Sequence, residues 1–295
     1  LKFSLILILN MFKKIKNFYS NIQTLYKRQS FKDKPIRTLF YIMLMFIYLL
    51  FRITKKYKIE INKKKYFYTY KPYIQMGMGG RGQFVLREYY DDFLAYGTKI
   101  LPKSFNFIDI GCSRGFFTLY LLAHNSKEAK GICIDPFQYA LNDLKEVLEL
   151  NNFSNVEILK GVVSDKIESN IFVRNAKIPS EASIIKRAAY RSDDGFYCKS
   201  YTVDQLIYKM NLINNVEFIK IDAEGAEFEI LLGSQNALKN FKPIIYLEVT
   251  RKESEIRNFL QNNNYLIYHF LNKNMTIAPE NLLHTSILAI PKNYN

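Results

Sequence analysis

From residue 105 to the end of the chain, short apolar segments alternate with longer helix-like segments, and this alternation limits the fold more than any other feature. FNFIDI (105–110) and GICID (131–135) have the length and the Ile-rich composition of buried strands. GFFTLYLLAH (115–124) lies between them and is long enough to form a helix. Strands that alternate with such helices predict an α/β fold with a mostly parallel, doubly wound sheet.

The same alternation continues towards the C-terminus. Residues 165–200 interrupt it as a polar segment without predicted regular structure, and a helix then begins after Thr202, whose hydroxyl suits the N-cap position. The segment AEFEILLGSQNALKN (226–240) predicts a single helix. Further strands are predicted at 156–164, 216–222, 243–249, 265–270 and 285–291.

The positive charge of the chain is confined to its first quarter. Residues 1–75 contain 17 Lys or Arg residues and two acidic residues, whereas residues 76–295 contain 25 of each kind. We therefore expect a basic, helical and partly apolar N-terminal extension (1–84) and a globular domain (85–295). The segment MGMGGRG (76–82) lacks the Lys-Ser/Thr pair of a phosphate-binding loop, and we interpret it as a joint between these two parts.

The N-terminal extension contains thirteen consecutive apolar residues, LFYIMLMFIYLLF (39–51), with many lysines on both sides. A membrane-spanning helix needs about 20 apolar residues, so this segment is too short to predict one. Its basic flanks suit a helix that lies on an anionic membrane surface, which would place the protein in the cytoplasm at the inner face of the membrane. The alternative is a helix that packs on the globular domain and leaves its basic residues in water.

The three cysteines, Cys112, Cys133 and Cys198, form no CxxC pair and have no spacing with histidine that suits zinc. An odd number of cysteines without a disulfide pattern indicates a reducing compartment. Asp222 and Glu248 could bind a divalent metal, but no histidine accompanies them in the sequence, and we predict no metal site.

The first predicted strand leads into a glycine loop, DIGCSRG (109–115). Its spacing, Asp109 and then Gly111 and Gly115, lacks the middle glycine with which dinucleotide enzymes admit a pyrophosphate. An acidic first residue and a bulkier loop suit a cationic nucleoside without phosphate, of which S-adenosylmethionine is the common example. We therefore predict that Asp109, Gly111, Cys112 and Gly115 bind this cofactor.

The next two strand ends extend this predicted cofactor site. Asp135 ends the second strand, 24 residues after Gly111, as expected for a carboxylate that binds ribose hydroxyls, and Pro136 then turns the chain. Ser164 and Asp165 follow the third strand and are predicted at the adenine edge. Each acid alone could be a helix N-cap, but three polar strand ends in chain order favour a site.

The stretch EFIKIDAEGAEFEIL (217–231) runs from a buried strand into a cluster of carboxylates. In a strand Lys220 and Asp222 share one face, so we predict that they form a pair. We predict that Asp222 orients or deprotonates an acceptor hydroxyl, that Lys220 fixes its charge and that Glu224 also faces the acceptor. Glu227 lies in the first turn of the following helix, where the helix dipole favours a carboxylate.

Together these segments resemble the FkbM-type methyltransferases, a group of class I S-adenosylmethionine enzymes with many O-methylating members. The resemblance runs from about residue 105 to 290 and includes FIDIGCSRGFFTLYLL, ASIIKR, SYTVDQLI, FIKIDAEGAEFEILLGS, PIIYLEV and TSILAIPK. It implies a Rossmann-like fold with a seven-stranded sheet and methyl transfer to a hydroxyl of a sugar, a glycan or a related small molecule. The chain has Asp135-Pro136 where the group often has Glu-Pro, and Arg114 in a loop where we expect it to point outward.

Two other functions remain open at this point. A nucleic-acid methyltransferase would use the basic extension as a phosphate clamp, but the globular domain is neutral and no N/D-P-P-Y/F-like motif follows the fourth strand. A non-catalytic, membrane-attached binding protein would keep the fold without the chemistry, but every expected acidic strand end is present. We therefore expect a small-molecule or glycan acceptor, and we do not expect nucleic acid to be a partner.

Overall fold

A computed structural model describes residues 35–51, 53–71, 91–125, 129–175, 182–185, 194–209, 215–271, 273–281, 283 and 285–294. The chain divides into two compact units, a smaller one of residues 1–59 and 70–90 and a larger one of residues 60–69 and 91–295. The boundary predicted at residue 84 and the glycine-rich segment 76–82 lie outside the described residues, so both stay predictions.

The N-terminal elements are one helix and two strands. Helix α1 (Pro35–Leu50) contains most of the predicted apolar run, and strands β1 (Lys55–Ile61) and β2 (Lys64–Tyr70) form a two-stranded sheet. In the described part of the chain, no helix is both long enough and apolar enough to cross a membrane. The predicted attachment to a membrane surface is not tested by this finding and stays a prediction.

The larger unit is built on one eight-stranded sheet, which confirms the predicted mostly parallel α/β fold. Its strands are β3 (Phe107–Ile110), β4 (Gly131–Asp135), β5 (Val156–Lys160), β10 (Phe218–Ile221), β11 (Ile244–Val249), β12 (Tyr265–Leu271), β13 (Asn274–Ile277) and β14 (Thr285–Pro291). Their order in the sheet is β13-β12-β14-β11-β10-β3-β4-β5, and β3, β4, β5, β10 and β11 run parallel. Strands β12, β13 and β14 are antiparallel to their neighbours.

Helices connect the parallel strands, as the alternation predicts. They are α2 (Phe116–His124), α3 (Gln138–Leu150), α4 (Val203–Lys209), α5 (Glu227–Leu232), α6 (Gln235–Asn240) and α7 (Glu253–Asn262), and a π-helical turn (Phe93–Gly97) and a 3-10 turn (Thr98–Ile100) precede β3. The N-cap prediction for α4 is confirmed, because the Thr202 hydroxyl accepts the backbone N–H of Gln205 at 3.0 Å.

Four details of the sequence prediction are wrong. The sheet has eight strands and not seven, because the polar edge strand β13 pairs with β12. Residues 165–200 are not irregular throughout, since their described part contains the antiparallel pair β7 (Ile171–Arg174) and β8 (Gly195–Cys198). The third strand divides after Lys160 into β5 and β6 (Val162–Val163), and β6 pairs with β9 (Ser200–Tyr201). The helix predicted at 226–240 divides at Gly233, where a side chain would lie 2.3 Å from the Ser164 carbonyl oxygen.

The core lies on both faces of the sheet, because helices cover both faces of a doubly wound fold. Aliphatic side chains of β3, β4, β10 and β11, including Ile108, Ile132, Ile219 and Leu247, are fully buried. Each such burial contributes about 1.5–3 kcal/mol. On one face Phe93 stacks on Phe218 and Tyr246, at centroid distances of 5.1 and 4.8 Å.

This topology determines where a ligand can bind. The chain order reverses between β3 and β10, which are neighbours in the sheet although more than one hundred residues separate them. Ligands of open α/β sheets bind at the carboxyl ends of the strands beside such a reversal. The glycine loop after β3, the turn after β4 and the acidic turn after β10 all lie at this edge.

Candidate cofactor and active site

The glycine loop touches the end of β10 directly. Gly111 has a φ of 71°, and a Cβ at this position would lie 1.9 Å from the carbonyl oxygen of Asp222. The backbone N–H of Asp222 donates to the Ile110 carbonyl at 3.1 Å. Only glycine combines this backbone conformation with this approach. The predicted cofactor loop and the predicted catalytic turn therefore form one contact.

Lys220 contacts both the glycine loop and the end of β10 from the interior of the protein. Its ammonium nitrogen lies 2.8 Å from the Gly111 carbonyl oxygen, 3.1 Å from Asp109 Oδ1 and 3.4 Å from Asp222 Oδ2. The ion pair confirms the prediction that Lys220 and Asp222 share a face. The side chain of Lys220 is only 6% exposed, whereas that of Asp222 is 42% exposed. Lys220 therefore supports the site from the interior, and its predicted place facing the acceptor stays a prediction.

Asp109 is also an interior residue. Its side chain is fully buried, and Oδ2 accepts the hydroxyl of Thr118 at 2.6 Å while Oδ1 lies in the ion pair with Lys220. Both oxygens have partners within the protein, and the predicted role of Asp109 in cofactor binding stays a prediction. Asp109 neutralises the buried ammonium group of Lys220.

Cys112 contributes its backbone rather than its thiol to the loop. The side chain is buried, and burial raises the pKa of the thiol well above its ordinary value. Its backbone N–H and that of Gly111 both donate to the Ile134 carbonyl, at 3.2 and 2.9 Å. The predicted contact of Cys112 with the cofactor can therefore involve the backbone only.

Asp135 joins the glycine loop to the end of β4. Its Oδ2 accepts the backbone N–H of Ser113 and its Oδ1 that of Phe137, both at 2.9 Å. Burial raises the pKa of this carboxyl group to about 6, although both hydrogen bonds act in the opposite direction. Each oxygen keeps a second lone pair, so Asp135 can accept ribose hydroxyls as predicted. Pro136 lies between Asp135 and Phe137 and is half-buried.

The rest of the loop packs against α3. Gly115 has a φ of 76°, and a Cβ there would lie 2.2 Å from Leu144 Cδ1, so this glycine lets α2 begin close to α3. Arg114 does not point outward as predicted. Its guanidinium pairs with Asp143 at 3.3 Å and lies 5.8 Å from the centre of the Tyr139 ring, which keeps it away from a positively charged ligand.

Ser164 and Asp165 form a separate contact at the end of β6. The Ser164 hydroxyl donates to Asp165 Oδ1 at 2.9 Å, and the Ser164 backbone N–H donates to the Tyr201 carbonyl at 2.9 Å. Gly233 packs against the Ser164 carbonyl. These contacts connect the pair to β9 and α5 but not to the Asp135 carboxylate. Its place at the adenine edge stays a prediction.

The turn after β10 is braced by the turn after β11. Glu224 is half-buried and has a φ of 52°, which is unusual for a residue with a side chain. The fully buried carboxylate of Glu227 accepts the Gly225 backbone N–H at 2.7 Å and the Thr250 hydroxyl at 2.8 Å. Arg251 donates to the Gly225 carbonyl and to Glu229. Glu227 thus holds this turn in shape, a role that helix position alone did not predict.

Sequence reasoning missed a second polar pair at this edge. Tyr246 lies opposite Lys220 in the parallel register of β10 and β11, and its hydroxyl donates to Asp91 Oδ2 at 2.8 Å. Asp91 Oδ1 accepts the backbone N–H of Leu94 at 2.9 Å. Burial raises the pKa of Asp91 to about 6. An Asp three residues before Leu94 suggests only a helix cap, so the sequence contained no signal for the contact with β11.

Two other features do not belong to this site. Among the described residues, no group of three His, Cys, Asp or Glu side chains could hold a metal ion. A cavity of about 810 Å³ lies at the amino ends of the parallel strands, where Lys239, Lys242 and Phe259 are among its lining residues. None of the predicted site residues lines it, so the cavity does not correspond to the site at the carboxyl ends.

The chemistry of the carboxyl edge fits a cationic nucleoside. Asp135 is placed to accept hydroxyl donors, and Asp91 and Asp222 add two carboxylates at the same edge. The one buried cation in this set, Lys220, already contacts two carboxylates and a carbonyl oxygen. A pyrophosphate would meet mainly negative charge here, whereas the sulfonium and ammonium groups of S-adenosylmethionine would meet opposite charge.

Comparison with known proteins gives a family match. A family model described as "Methyltransferase FkbM domain" matches residues 109–267, which is more than half of the chain. Solved structures are similar at low identity. A methyltransferase FkbM from Methylobacillus flagellatus KT is 16% identical, with 72% of this chain and 53% of that chain covered and a TM-score of 0.45. This chain therefore spans about half of the length of that structure.

Two further structures match a larger share of their own length. A putative methyltransferase from Streptococcus mutans in complex with SAH is 13% identical, with 66% of this chain and 93% of that chain covered and a TM-score of 0.39. An rRNA methylase from Streptococcus thermophilus is 14% identical, with 67% and 90% covered and a TM-score of 0.39. At these values the two structures do not distinguish between substrates.

Proposed function

Because this chain belongs to the FkbM methyltransferase family, we propose that it is an S-adenosylmethionine-dependent methyltransferase that methylates a hydroxyl oxygen. The acceptor hydroxyl belongs to a sugar, a glycan or a related small molecule. The backbone of the glycine loop, Gly111 to Ser113, and the carboxylate of Asp135 would hold the cofactor. When bound, S-adenosylmethionine supplies a methyl group activated by its sulfonium sulfur.

The observation that carries this proposal is the environment of Asp222. Its carboxylate ends β10 beside Gly111, is 42% exposed and has Oδ2 fixed by the buried ammonium of Lys220 at 3.4 Å. A carboxylate that is held by a buried ammonium group and is partly exposed to solvent can accept a hydrogen bond from an acceptor hydroxyl. Asp222 would take the hydroxyl proton as the acceptor oxygen receives the methyl group that the bound cofactor would supply. A positioned base of this kind contributes typically about 10²–10⁴-fold to the rate.

Glu224 is the other carboxylate that could act as this base. It follows Asp222 by two residues, and its left-handed backbone conformation is held by the hydrogen bonds of Glu227 and Arg251 to Gly225. We assign the proton transfer to Asp222 because it is oriented by Lys220 and contacts the glycine loop through its backbone. Glu224 would bind another hydroxyl of the acceptor.

The charge of the globular domain supports a neutral acceptor rather than a nucleic acid. Residues 76–295 contain 25 basic and 25 acidic side chains, so the domain has no net positive charge to attract phosphates. The carboxylates at the carboxyl edge of the sheet would repel a phosphate backbone. A polyhydroxylated acceptor carries no such charge and supplies hydroxyl donors for these carboxylates.

We also propose that the N-terminal extension attaches the enzyme to an anionic membrane surface at the cytoplasmic face. Ile36, Leu39, Phe40 and Met43 follow the i, i+3, i+4, i+7 pattern along α1, and each is more than half exposed. This spacing places them on one helix face, and apolar faces flanked by lysines bind anionic interfaces. Attachment would bring the active site close to lipid-linked glycans.

The function is tested by incubating the protein with S-adenosylmethionine labelled in the methyl group and with fractions of a cell extract. We expect label in the glycan or small-molecule fraction, stable to mild alkali because a methyl ether, unlike a methyl ester, resists hydrolysis. The Asp222→Asn variant serves as the matched control and should transfer little label. Label that nuclease treatment releases would instead support a nucleic-acid acceptor, and label released by alkali would contradict O-methylation of a hydroxyl.

A further inference from the structure

Asp91 is a half-buried carboxylate of the larger unit with only neutral hydrogen-bond donors. The Tyr246 hydroxyl and the Leu94 backbone N–H donate to its two oxygens, at 2.8 and 2.9 Å. Within the described part of the chain, no Lys or Arg forms an ion pair with it. Desolvation is the largest influence on its titration and raises the pKa to about 6. Shielding a carboxylate from water without an ion-pair partner costs free energy, and a bound cation would offset this cost.

The position of Asp91 connects it to the candidate cofactor site. Tyr246 and Lys220 are partners in the register of β10 and β11, and Phe93, two residues after Asp91, stacks on Tyr246. The positive charge of Lys220 is close enough to lower the pKa of Asp91 partly against the effect of burial. Lys220 itself contacts Gly111 and Asp222. Asp91 therefore lies on the same sheet face and beside the contact between the glycine loop and β10.

The methyl donor carries a positive α-ammonium group, and the other carboxylates of this edge have other partners. Asp109 is fully buried against Lys220 and Thr118, and Asp135 binds the backbone beyond β4. Asp222 is paired with Lys220 at the predicted methyl-transfer position. The carbonyl of Gly111, a neutral acceptor of the loop, already receives the ammonium of Lys220. Asp91 and Asp135 both have only neutral hydrogen-bond donors among their described contacts. Asp135 is assigned to the ribose, which leaves Asp91 for the ammonium group.

We propose that Asp91 is the counterion of the α-ammonium group of the bound methyl donor. This inference rests on the proposed function, because it assumes that S-adenosylmethionine is the donor. Asp91 lies outside residues 109–267, the part of the chain that the family model matches. The role is a binding role: Asp91 orients the amino-acid end of the donor, while Tyr246 and the Leu94 N–H hold its carboxylate.

The experiment compares two neutral-sulfur ligands that differ in this amino-acid end. S-adenosylhomocysteine has the α-ammonium group, whereas 5′-methylthioadenosine lacks the whole amino-acid part. Their dissociation constants are measured by calorimetry at pH 7.5 for the full-length wild type, for Asp91→Asn and for Asp92→Asn. Asp92 is the matched control because it is the neighbouring carboxylate and is exposed. The Asn side chain can keep a hydrogen bond to the Leu94 N–H and to Tyr246, so the fold should remain.

We expect Asp91→Asn to weaken S-adenosylhomocysteine binding by about 10-fold or more, the usual effect of losing a charge-assisted hydrogen bond. Binding of 5′-methylthioadenosine should stay within about twofold, and Asp92→Asn should leave both ligands unchanged. Equal weakening of both ligands, or of neither, would show that Asp91 is only a helix cap. S-adenosylmethionine is measured in the same way as a third ligand. Its weakening by Asp91→Asn without weakening of S-adenosylhomocysteine would assign Asp91 to the sulfonium and overturn the inference.

A separate result identifies failure of the proposed function. If the wild type binds neither ligand, S-adenosylmethionine is not the donor and the role of Asp91 fails with it. If the wild type binds both and Asp91→Asn is unfolded by circular dichroism, Asp91→Ser replaces it, because serine can still cap Leu94 and carries no charge. The same selective loss of S-adenosylhomocysteine binding is expected for that variant.

Discussion

Replacing Lys220 by methionine should destabilise the protein strongly, because it removes a cation from beneath the glycine loop. The Lys220 ammonium lies 3.1 Å from the fully buried Asp109 carboxylate. At an effective dielectric constant of about 20, charges at this separation attract by roughly 5 kcal/mol. Removing one partner of a buried pair leaves the other charge uncompensated and costs typically about 3–5 kcal/mol. Asp222 adds little to this cost because water can solvate its exposed oxygen.

The loss is measured by urea unfolding of the wild type and Lys220→Met at pH 7.5, followed by circular dichroism. A decrease of about 3–5 kcal/mol in the free energy of unfolding is a large part of the 5–15 kcal/mol that holds a typical domain folded. The control is the double variant Lys220→Met, Asp109→Asn, in which neither charge of this pair remains and the amide can still accept the Thr118 hydroxyl. It should regain at least half of the loss. A single variant that loses less than about 1 kcal/mol, or a double variant that regains nothing, would refute the view that the Lys220–Asp109 charges compensate each other.

Four further outcomes are expected. Asp222→Asn should lower the turnover number by about 10²–10⁴-fold and leave S-adenosylhomocysteine affinity unchanged; near-normal turnover would move the base to Glu224. Asp135→Ala should weaken cofactor binding by about 1.5–3 kcal/mol, and an unchanged dissociation constant would remove Asp135 from the site. Burial raises the folded-state pKa of Asp135 to about 6, so this group favours the folded state at low pH and loses that contribution as the pH rises through about 6. The stability of the wild type should therefore fall relative to that of Asp135→Asn between pH 4 and pH 7. A stability difference that stays constant over this range would contradict the raised pKa. The full-length protein should co-sediment with vesicles of anionic lipid at low salt and be released at about 0.5 M salt. A chain without residues 1–75 should stay in solution, which would support the basic extension as the anchor. Failure of the full-length protein to sediment would exclude this anchor.

The sequence predicts the central part of the fold because local and long-range signals agree there. Strands β3, β4, β10 and β11 are short, mostly apolar runs, so their pattern is that of buried parallel strands. In the sheet, the chain order reverses between β3 and β10, on the two sides of the site. The Lys220–Asp222 pair is predictable for the same reason, since pleat alternation alone puts both side chains on one face.

The sequence does not predict features that depend on contacts across the sheet. The two glycine breaks, at Gly161 and Gly233, reflect close approaches of distant segments, as between Gly233 and the Ser164 carbonyl. The orientation of Asp109 depends on Lys220, which lies more than one hundred residues away in the chain. The bond between Asp91 and Tyr246 joins a pre-strand turn to β11, and neither residue type indicates the other. Spacing rules place a carboxylate at a strand end but do not say which way it points.

The contact between Gly111 and Asp222 has a consequence for the order in which ligands act. The loop that would hold the donor and the residue that would hold the acceptor touch through their backbones and share the ammonium of Lys220. We expect an acceptor that moves the Asp222 backbone to move Gly111 as well, and a donor that displaces the loop to move Asp222. Thermodynamic linkage requires each ligand to change the affinity of the other by the same factor. Donor and acceptor binding to this protein should accordingly be cooperative, with the two sites behaving as a single coupled unit.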